Sequence, residues 1–161
     1  TPAQRRYFSG LATFTAGTPL RKEHATVKSK LGHIELKIDT ANTGFYKELL
    51  GFLGWDTIWE GEGMLGLGGS DGASLWFGSG ANAAVNDYDG RGVNHLGISV
   101  DSQADVDAFA ACLSGKGVPA LFETPRHRPE FAGAEDQTYY QVMFESPDRI
   151  LFEVVYSGPK H

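Results

Sequence analysis

Over residues 31–38 the apolar side chains Ile34, Leu36 and Ile38 alternate with polar ones, and the same beat returns over 93–100 in Leu96, Ile98 and Val100. A period of two puts one row on a core and the other on the opposite face, the pattern of a half-buried strand. In both stretches a histidine, His33 or His95, falls on the face away from the apolar row. Two equivalent histidines in two near-copies predict a site built about an internal two-fold axis.

The order of patterns repeats as well. Phe45, Leu49, Leu50 and Leu53 recur at helical spacing over about 41–53, with Gly51 and Gly54 near the end. Strands are predicted at Trp55–Trp59, Met64–Gly68 and Ala73–Phe77, separated by the turns Glu60-Gly61-Glu62-Gly63 and Gly69-Ser70-Asp71-Gly72. A polar connector rich in Gly, Asn and Asp spans 79–92. The strand 93–100 then leads to a helix ending near 115, opened by the capping signal Ser102-Gln103-Ala104-Asp105 and striped by Val106, Phe109, Ala110 and Leu113. A short strand at Pro119–Phe122, a long loop over 123–137 and a hairpin of Thr138–Glu145 with Ile150–Tyr156 complete the second copy.

The fold class is therefore α+β, with two βαβββ units at 31–78 and 93–157. Residues 1–30 form an extension with a short helix expected after Pro2, and 158–161 a tail.

Composition narrows the function classes. A net charge of −6 without a Lys/Arg block argues against nucleic acid or an anionic membrane surface as partner. No apolar run approaches the roughly 20 residues that span a bilayer. Arg5-Arg6-Tyr7-Phe8 echoes a twin-arginine export signal, but Ser9 to Leu20 is too polar for its apolar region, so the cytoplasm is the expected location. The single cysteine, Cys112, fits a reducing compartment and reads as a small helix core residue.

The paired His strands, the helix Thr43-Gly44-Phe45-Tyr46-Lys47-Glu48-Leu49-Leu50-Gly51 and the closing Tyr139-Tyr140, Phe144-Glu145-Ser146-Pro147-Asp148 and Phe152-Glu153 together resemble the vicinal oxygen chelate superfamily. That superfamily includes glyoxalases, bleomycin-resistance proteins and extradiol dioxygenases. The resemblance covers about residues 31–157. It implies that the two units curl into an incomplete mixed β-barrel whose cleft holds a divalent metal.

Carried over by the resemblance, the metal ligands are His33, His95 and Glu153. Strand parity agrees, because Phe152, Val154 and Tyr156 form one row and Glu153 points the other way. Two imidazoles and a carboxylate suit Fe, Mn, Ni, Co or Zn. Many glyoxalases take a fourth ligand from the first unit's last strand, where Trp76 falls at the counterpart of Glu153 and cannot ligate. Met143 stands where dioxygenases and fosfomycin-resistance enzymes usually carry a tyrosine, which counts against both activities.

Other candidates follow from position. Glu35 shares the face of His33 and is a candidate general base; the competing reading is a solvated Glu35–Lys37 pair. Trp76, Tyr139 and Gln141 are expected to line the substrate cleft. Arg126 and Arg128, in the loop Pro125-Arg126-His127-Arg128-Pro129, would suit an anionic substrate group if that loop closes as a lid; a solvated basic loop is the alternative. The expectation is a metal-dependent lyase, isomerase or dioxygenase acting on a small molecule that chelates through vicinal oxygens, in a homodimer. A bleomycin-resistance-like binding protein without catalysis is the alternative.

Overall fold

Alternation along the strands becomes two matching sheets in the computed structural model, which describes residues 27–160. The chain divides into a leading unit, Thr1–Leu31, and a second, Gly32–His161; the helix expected after Pro2 and the Arg5-Arg6 pair lie outside the described residues. In the second unit, β1 (His33–Lys37), β2 (Asp56–Gly61), β3 (Met64–Gly68) and β4 (Ser74–Gly78) form one sheet in the order β1-β4-β3-β2. A short 3₁₀ turn and helix α1 (Thr43–Phe52) link β1 to β2. Strands β5 (Leu96–Ser99), β6 (Ala120–His127), β7 (Gln137–Glu145) and β8 (Leu151–Pro159) repeat the plan as β5-β8-β7-β6, with helix α2 (Gln103–Gly115) after β5. β1–β4 and β5–β8 are parallel and the remaining pairs antiparallel. These are two mixed sheets of the curled α+β fold, with no closed barrel.

Pairing register makes the internal symmetry concrete. Glu35 pairs with Trp76 in the first sheet and Gly97 with Glu153 in the second. Trp76 thus occupies the position of Glu153, as the sequence spacing predicts.

The inward rows and helix stripes share one core. Leu65, Leu67, Leu75 and Phe77 come from the first sheet, and Leu96, Ile98, Val142, Phe144, Phe152 and Val154 from the second. Tyr46, Leu49, Leu50, Val106, Phe109 and Leu113 fill it from the helices. Tyr46 stacks on Phe77 at 4.3 Å and Phe144 on Phe152 at 5.3 Å. Cys112 packs against this core. The Ser102 Oγ accepts from the Asp105 N–H, the cap expected for α2.

Two glycines are dictated by geometry. Glu62 and Gly63, at φ 51° and 75°, form the two-residue turn of the β2–β3 hairpin, a conformation that matches strand twist and suits glycine. The sequence-based turn was placed two residues too early, since Glu60 and Gly61 still pair within the ladder. At Gly66, a Cβ would lie 2.8 Å from Cζ3 of the Trp76 ring. Gly66→Ala should therefore displace the indole, change tryptophan fluorescence and lower stability by about 1–3 kcal/mol in urea unfolding.

Three boundaries differ from expectation. His95 precedes β5 rather than lying within it. Strand β2 begins after Trp55 and carries a register shift between Thr57 and Trp59. The stretch expected as a loop from 123 is strand up to His127, because β6 bulges instead of ending. Leu121 pairs with Met143 and Arg126 with Gln141, so residues 122–125 bulge out, with Phe122 and Glu123 at φ 56° and 60°. The Thr124 Oγ1 repairs the ladder by accepting from the Met143 N–H at 3.0 Å.

Asp148, in the β7–β8 turn, ties the halves together. Its Oδ1 accepts from the Asp39 N–H at 2.7 Å; its Oδ2 accepts from Asn42 Nδ2 at 3.0 Å and from the Tyr46 hydroxyl at 2.6 Å. On the other side of the core the Tyr140 hydroxyl donates to Asp107 Oδ1 at 2.7 Å, joining β7 to α2.

Burial, then the Asp107 carboxylate, pushes the Tyr140 phenol up to about 12; Tyr46 and Tyr139 are raised as well. A raised phenol holds its proton more tightly folded than unfolded. Its stabilisation is complete below about pH 10 and is lost as pH climbs through about 12. In an alkaline titration, unfolding followed by circular dichroism should coincide with the late fraction of tyrosinate absorbance.

Candidate functional site

The face of the second sheet opposite the core carries the polar group. Parity places Glu153 on it, beside Met143 in the β7–β8 register, and Glu153 is only 4% exposed. A buried carboxylate needs partners. It has two: the Tyr139 hydroxyl donates to Oε1 at 3.0 Å, and His95 Nε2 lies 3.2 Å from Oε2. Gly97 makes room, since a Cβ there would stand 3.4 Å from Oε2.

The other ring nitrogen of His95 has a neighbour of its own. Asn94 Nδ2 donates to the Tyr88 carbonyl at 2.7 Å, which turns Asn94 Oδ1 toward His95 Nδ1, also at 2.7 Å. An amide oxygen and a carboxylate oxygen both only accept, so each ring nitrogen of His95 faces an acceptor, and a proton or a cation fits between Nε2 and Glu153 Oε2, 3.2 Å away. Burial and the neighbouring Glu153 charge raise the Tyr139 phenol far above its ordinary range, keeping it a donor.

Residues expected at the site are distributed as follows. His33 is exposed on β1. Among the described residues no group of three His, Cys, Asp or Glu side chains is placed to hold a metal ion, so one chain brings His95 and Glu153 together without His33. The cause is topological: β1 and β5 are edge strands of separate sheets. Glu35 forms an exposed ion pair with Lys37 at 2.6 Å, whose hydrogen bond and charge lower the Glu35 carboxyl below its ordinary range. A cleft of about 790 Å³ brings Glu35, Lys37 and His95 to one opening, walled by residues of the 80–95 connector.

Trp76 donates from Nε1 to Ser74 Oγ at 3.0 Å, on the same face as Glu35. Gln141 is 2% exposed and its Nε2 has no hydrogen-bond partner. Arg126 pairs with Glu123 at 3.3 Å. Arg128 is buried rather than solvated, with Nε on Glu130 Oε1 at 2.7 Å and its guanidinium 5.0 Å from the Phe131 ring centre. The basic loop expected at the cleft mouth is thus strand and ion pair, because β6 continues past its bulge. Trp76, Tyr139, Gln141, Arg126 and Arg128 are not among the residues lining the 790 Å³ cleft.

Sequence reasoning missed Asn94, Tyr88 and Thr124. An asparagine immediately before the histidine was the available signal for Asn94. Tyr88 acts through its backbone carbonyl, and Thr124 through a bulge without a local signature.

No protein-family profile matches the chain. The protein YqjT of Bacillus subtilis (strain 168), itself uncharacterized, is 39% identical over 64 residues, 40% of this chain. The match spans 46% of that relative's length, less than half. Among solved structures, a protein of Bacillus halodurans assigned to the glyoxalases superposes with a TM-score of 0.65 at 27% identity, covering 78% of this chain and 94% of its own. The chain has the fold of the vicinal oxygen chelate superfamily. Further superfamily likenesses show the fold alone. A glyoxalase/bleomycin resistance protein of Albidiferax ferrireducens T118 has a TM-score of 0.63 at 21% identity over 80% of this chain and 99% of its own. A glyoxylase/bleomycin resistance protein/dioxygenase domain of Frankia sp. EAN1pec has 0.60 at 20%, over 81% and 98%. Among the described residues of this chain no helix is long and apolar enough to cross a membrane.

Proposed function

We propose that the protein is a divalent-metal-dependent enzyme of the vicinal oxygen chelate superfamily, acting on a small molecule with two neighbouring oxygens. The observation that carries this reading is the approach of His95 Nε2 to the buried Glu153 carboxylate, 3.2 Å from Oε2. A nitrogen and an oxygen donor so close suit adjacent positions around one cation, and the donor types suit a first-row metal. When bound, the ion supplies Lewis-acid stabilisation of negative charge on a substrate oxygen. Glu153 and His95 hold it, and Tyr139 occupies the second carboxylate oxygen of Glu153.

The third ligand in this reading is His33 of a second copy, which makes the enzyme a homodimer with shared sites. Glu35, two residues along the same face, enters the site with His33. The Lys37 ammonium holds the Glu35 carboxyl below its ordinary range and makes it a weaker base, so Glu35 takes up a proton only once its pair with Lys37 opens. Lyase and isomerase chemistry use such a base. Metal analysis of protein purified without chelator tests the proposal: about one divalent ion per chain supports it, and a metal-free protein that takes up none of Fe, Mn, Ni, Co or Zn overturns it.

One observation favours a second reading, a cleft protein that binds an aromatic ligand without catalysis. Trp59 is exposed and shares the lateral row Glu35, Trp76, Gly66, Trp59 across the first sheet. Ligand-dependent quenching of tryptophan in metal-free protein would select it.

A further inference from the structure

Among the described residues, Gln141 Nε2 is shut away from water with no hydrogen-bond partner. A carboxamide so placed loses its hydration and gains nothing in return, a cost that an apolar side chain avoids. The surroundings would accept one. Met143, next along the same face of β7, is equally buried at 2% exposed, and the β8 partner of Gln141 is Val155. Gln141 also pairs with Arg126 of β6, and the adjoining pair is Tyr140 with His127. The Tyr140 and His127 rings lie 4.6 Å apart, with Tyr140 in the core. Arg126 and Gln141 therefore share the opposite face, the one that carries Glu153. Arg126 stands outside Gln141, on the edge strand of the sheet. Its guanidinium meets Glu123 at 3.3 Å across the bulge, and Glu123 is 90% exposed. An ion pair so open to water is weak, so another carboxylate can take the place of Glu123. Glu130, the other acid within reach of the Arg126 charge, is held by Arg128 at 2.7 Å.

We propose that Arg126 and Gln141 form a carboxylate-binding subsite for the far end of the substrate, the guanidinium supplying charge and the buried amide a directed N–H. What the near end does rests on the metal reading above: its two neighbouring oxygens chelate the ion at Glu153. Gln141 stands two residues from Met143, the partner of Glu153, a step of about 7 Å along the strand. The substrate class is then a small acid with a chelating pair of oxygens at one end and a carboxylate a few bonds away. The Gln141 donor lacks an acceptor in the free protein and gains one when such a ligand binds. A competitor without the carboxylate leaves it unpaired and is rejected for that reason.

The test uses the full chain at neutral pH. Metal-free, nitrogen-labelled protein is titrated with propionate, with sodium chloride as the ionic-strength control. NMR follows the Gln141 side-chain amide, assigned through Gln141→Met. A saturable shift is expected with propionate and not with chloride, and Arg126→Ala should weaken propionate binding about 10-fold or more. Gln141→Met removes the unpaired donor at similar side-chain length, so it should hold or raise the midpoint of thermal unfolding. A lowered midpoint would assign Gln141 a structural partner and overturn the subsite. An unmoved Gln141 amide, or unchanged affinity in folded Arg126→Ala, overturns it too. Zinc-loaded protein is then titrated with lactate, malate and 2-hydroxyglutarate, which share a 2-hydroxy acid end; the last two add a distal carboxylate at two lengths. The better of the two dicarboxylates should bind about 10-fold or more tighter than lactate, and both variants should abolish that difference. If propionate behaves as expected while the protein takes up no zinc, the subsite stands and the metal reading falls. If zinc binds and neither dicarboxylate exceeds lactate, the metal reading stands and the subsite falls.

Discussion

Asp148→Ala should lower the stability of the protein by about 3–4 kcal/mol, because a hydrogen bond to a charged group contributes roughly 1.5–3 kcal/mol and three are lost. The donors are the Asp39 N–H, Asn42 Nδ2 and the Tyr46 hydroxyl. Tyr46 is fully buried and would retain only the Ser146 hydroxyl at 3.0 Å. Some of the loss is recovered by water at the exposed Asp39 amide, which is why the figure stays below the sum of three full bonds. Asp148→Asn should fall between the two, since one of its two atoms can no longer accept. Thermal unfolding should show the midpoint falling by roughly 6–15 °C for Asp148→Ala. A change of under about 1 kcal/mol in denaturant unfolding would mean that the halves are held by core packing alone.

Glu153→Gln should reduce affinity for a divalent metal by at least about 100-fold, more than the loss of a supporting hydrogen bond. The amide keeps the shape and can still accept from Tyr139, so metal-free stability should change little. His33→Ala should do the same to metal binding at an exposed position. The decisive measurement mixes the two. If sites are shared between copies, refolding Glu153→Gln with His33→Ala should regenerate one intact site in each mixed dimer, read by metal content and activity. No recovery, with each variant folded, would place the third ligand elsewhere.

Much of the fold was legible because period and spacing carry it. The alternation in 138–145 sent Tyr140, Val142 and Phe144 to the core, and that of Phe152, Val154 and Tyr156 left Glu153 facing away from it. The Ser102 cap and the glycine-flanked turns placed their elements for the same reason: each depends on residues adjacent in sequence. The misses have a common cause. The bulge at 122–125 depends on pairing with β7, Arg128 lies buried just past a strand that the loop composition concealed, and Asp148 gathers donors from more than a hundred residues away. For the site, parity gave the face of Glu153, but the reach of Tyr139 along the ladder and the separation of His33 from His95 are facts of three-dimensional register and sheet order.

The matching registers of the two sheets carry a last consequence. The two equivalent register positions carry different residues, Glu153 beside β5 and Trp76 beside β1. In the other half the equivalent position went to an indole and its neighbour to a bare glycine, turning a would-be reactive wall into a smooth aromatic one. At this one register position the halves differ in chemistry, a buried carboxylate in the second and an indole against a glycine in the first.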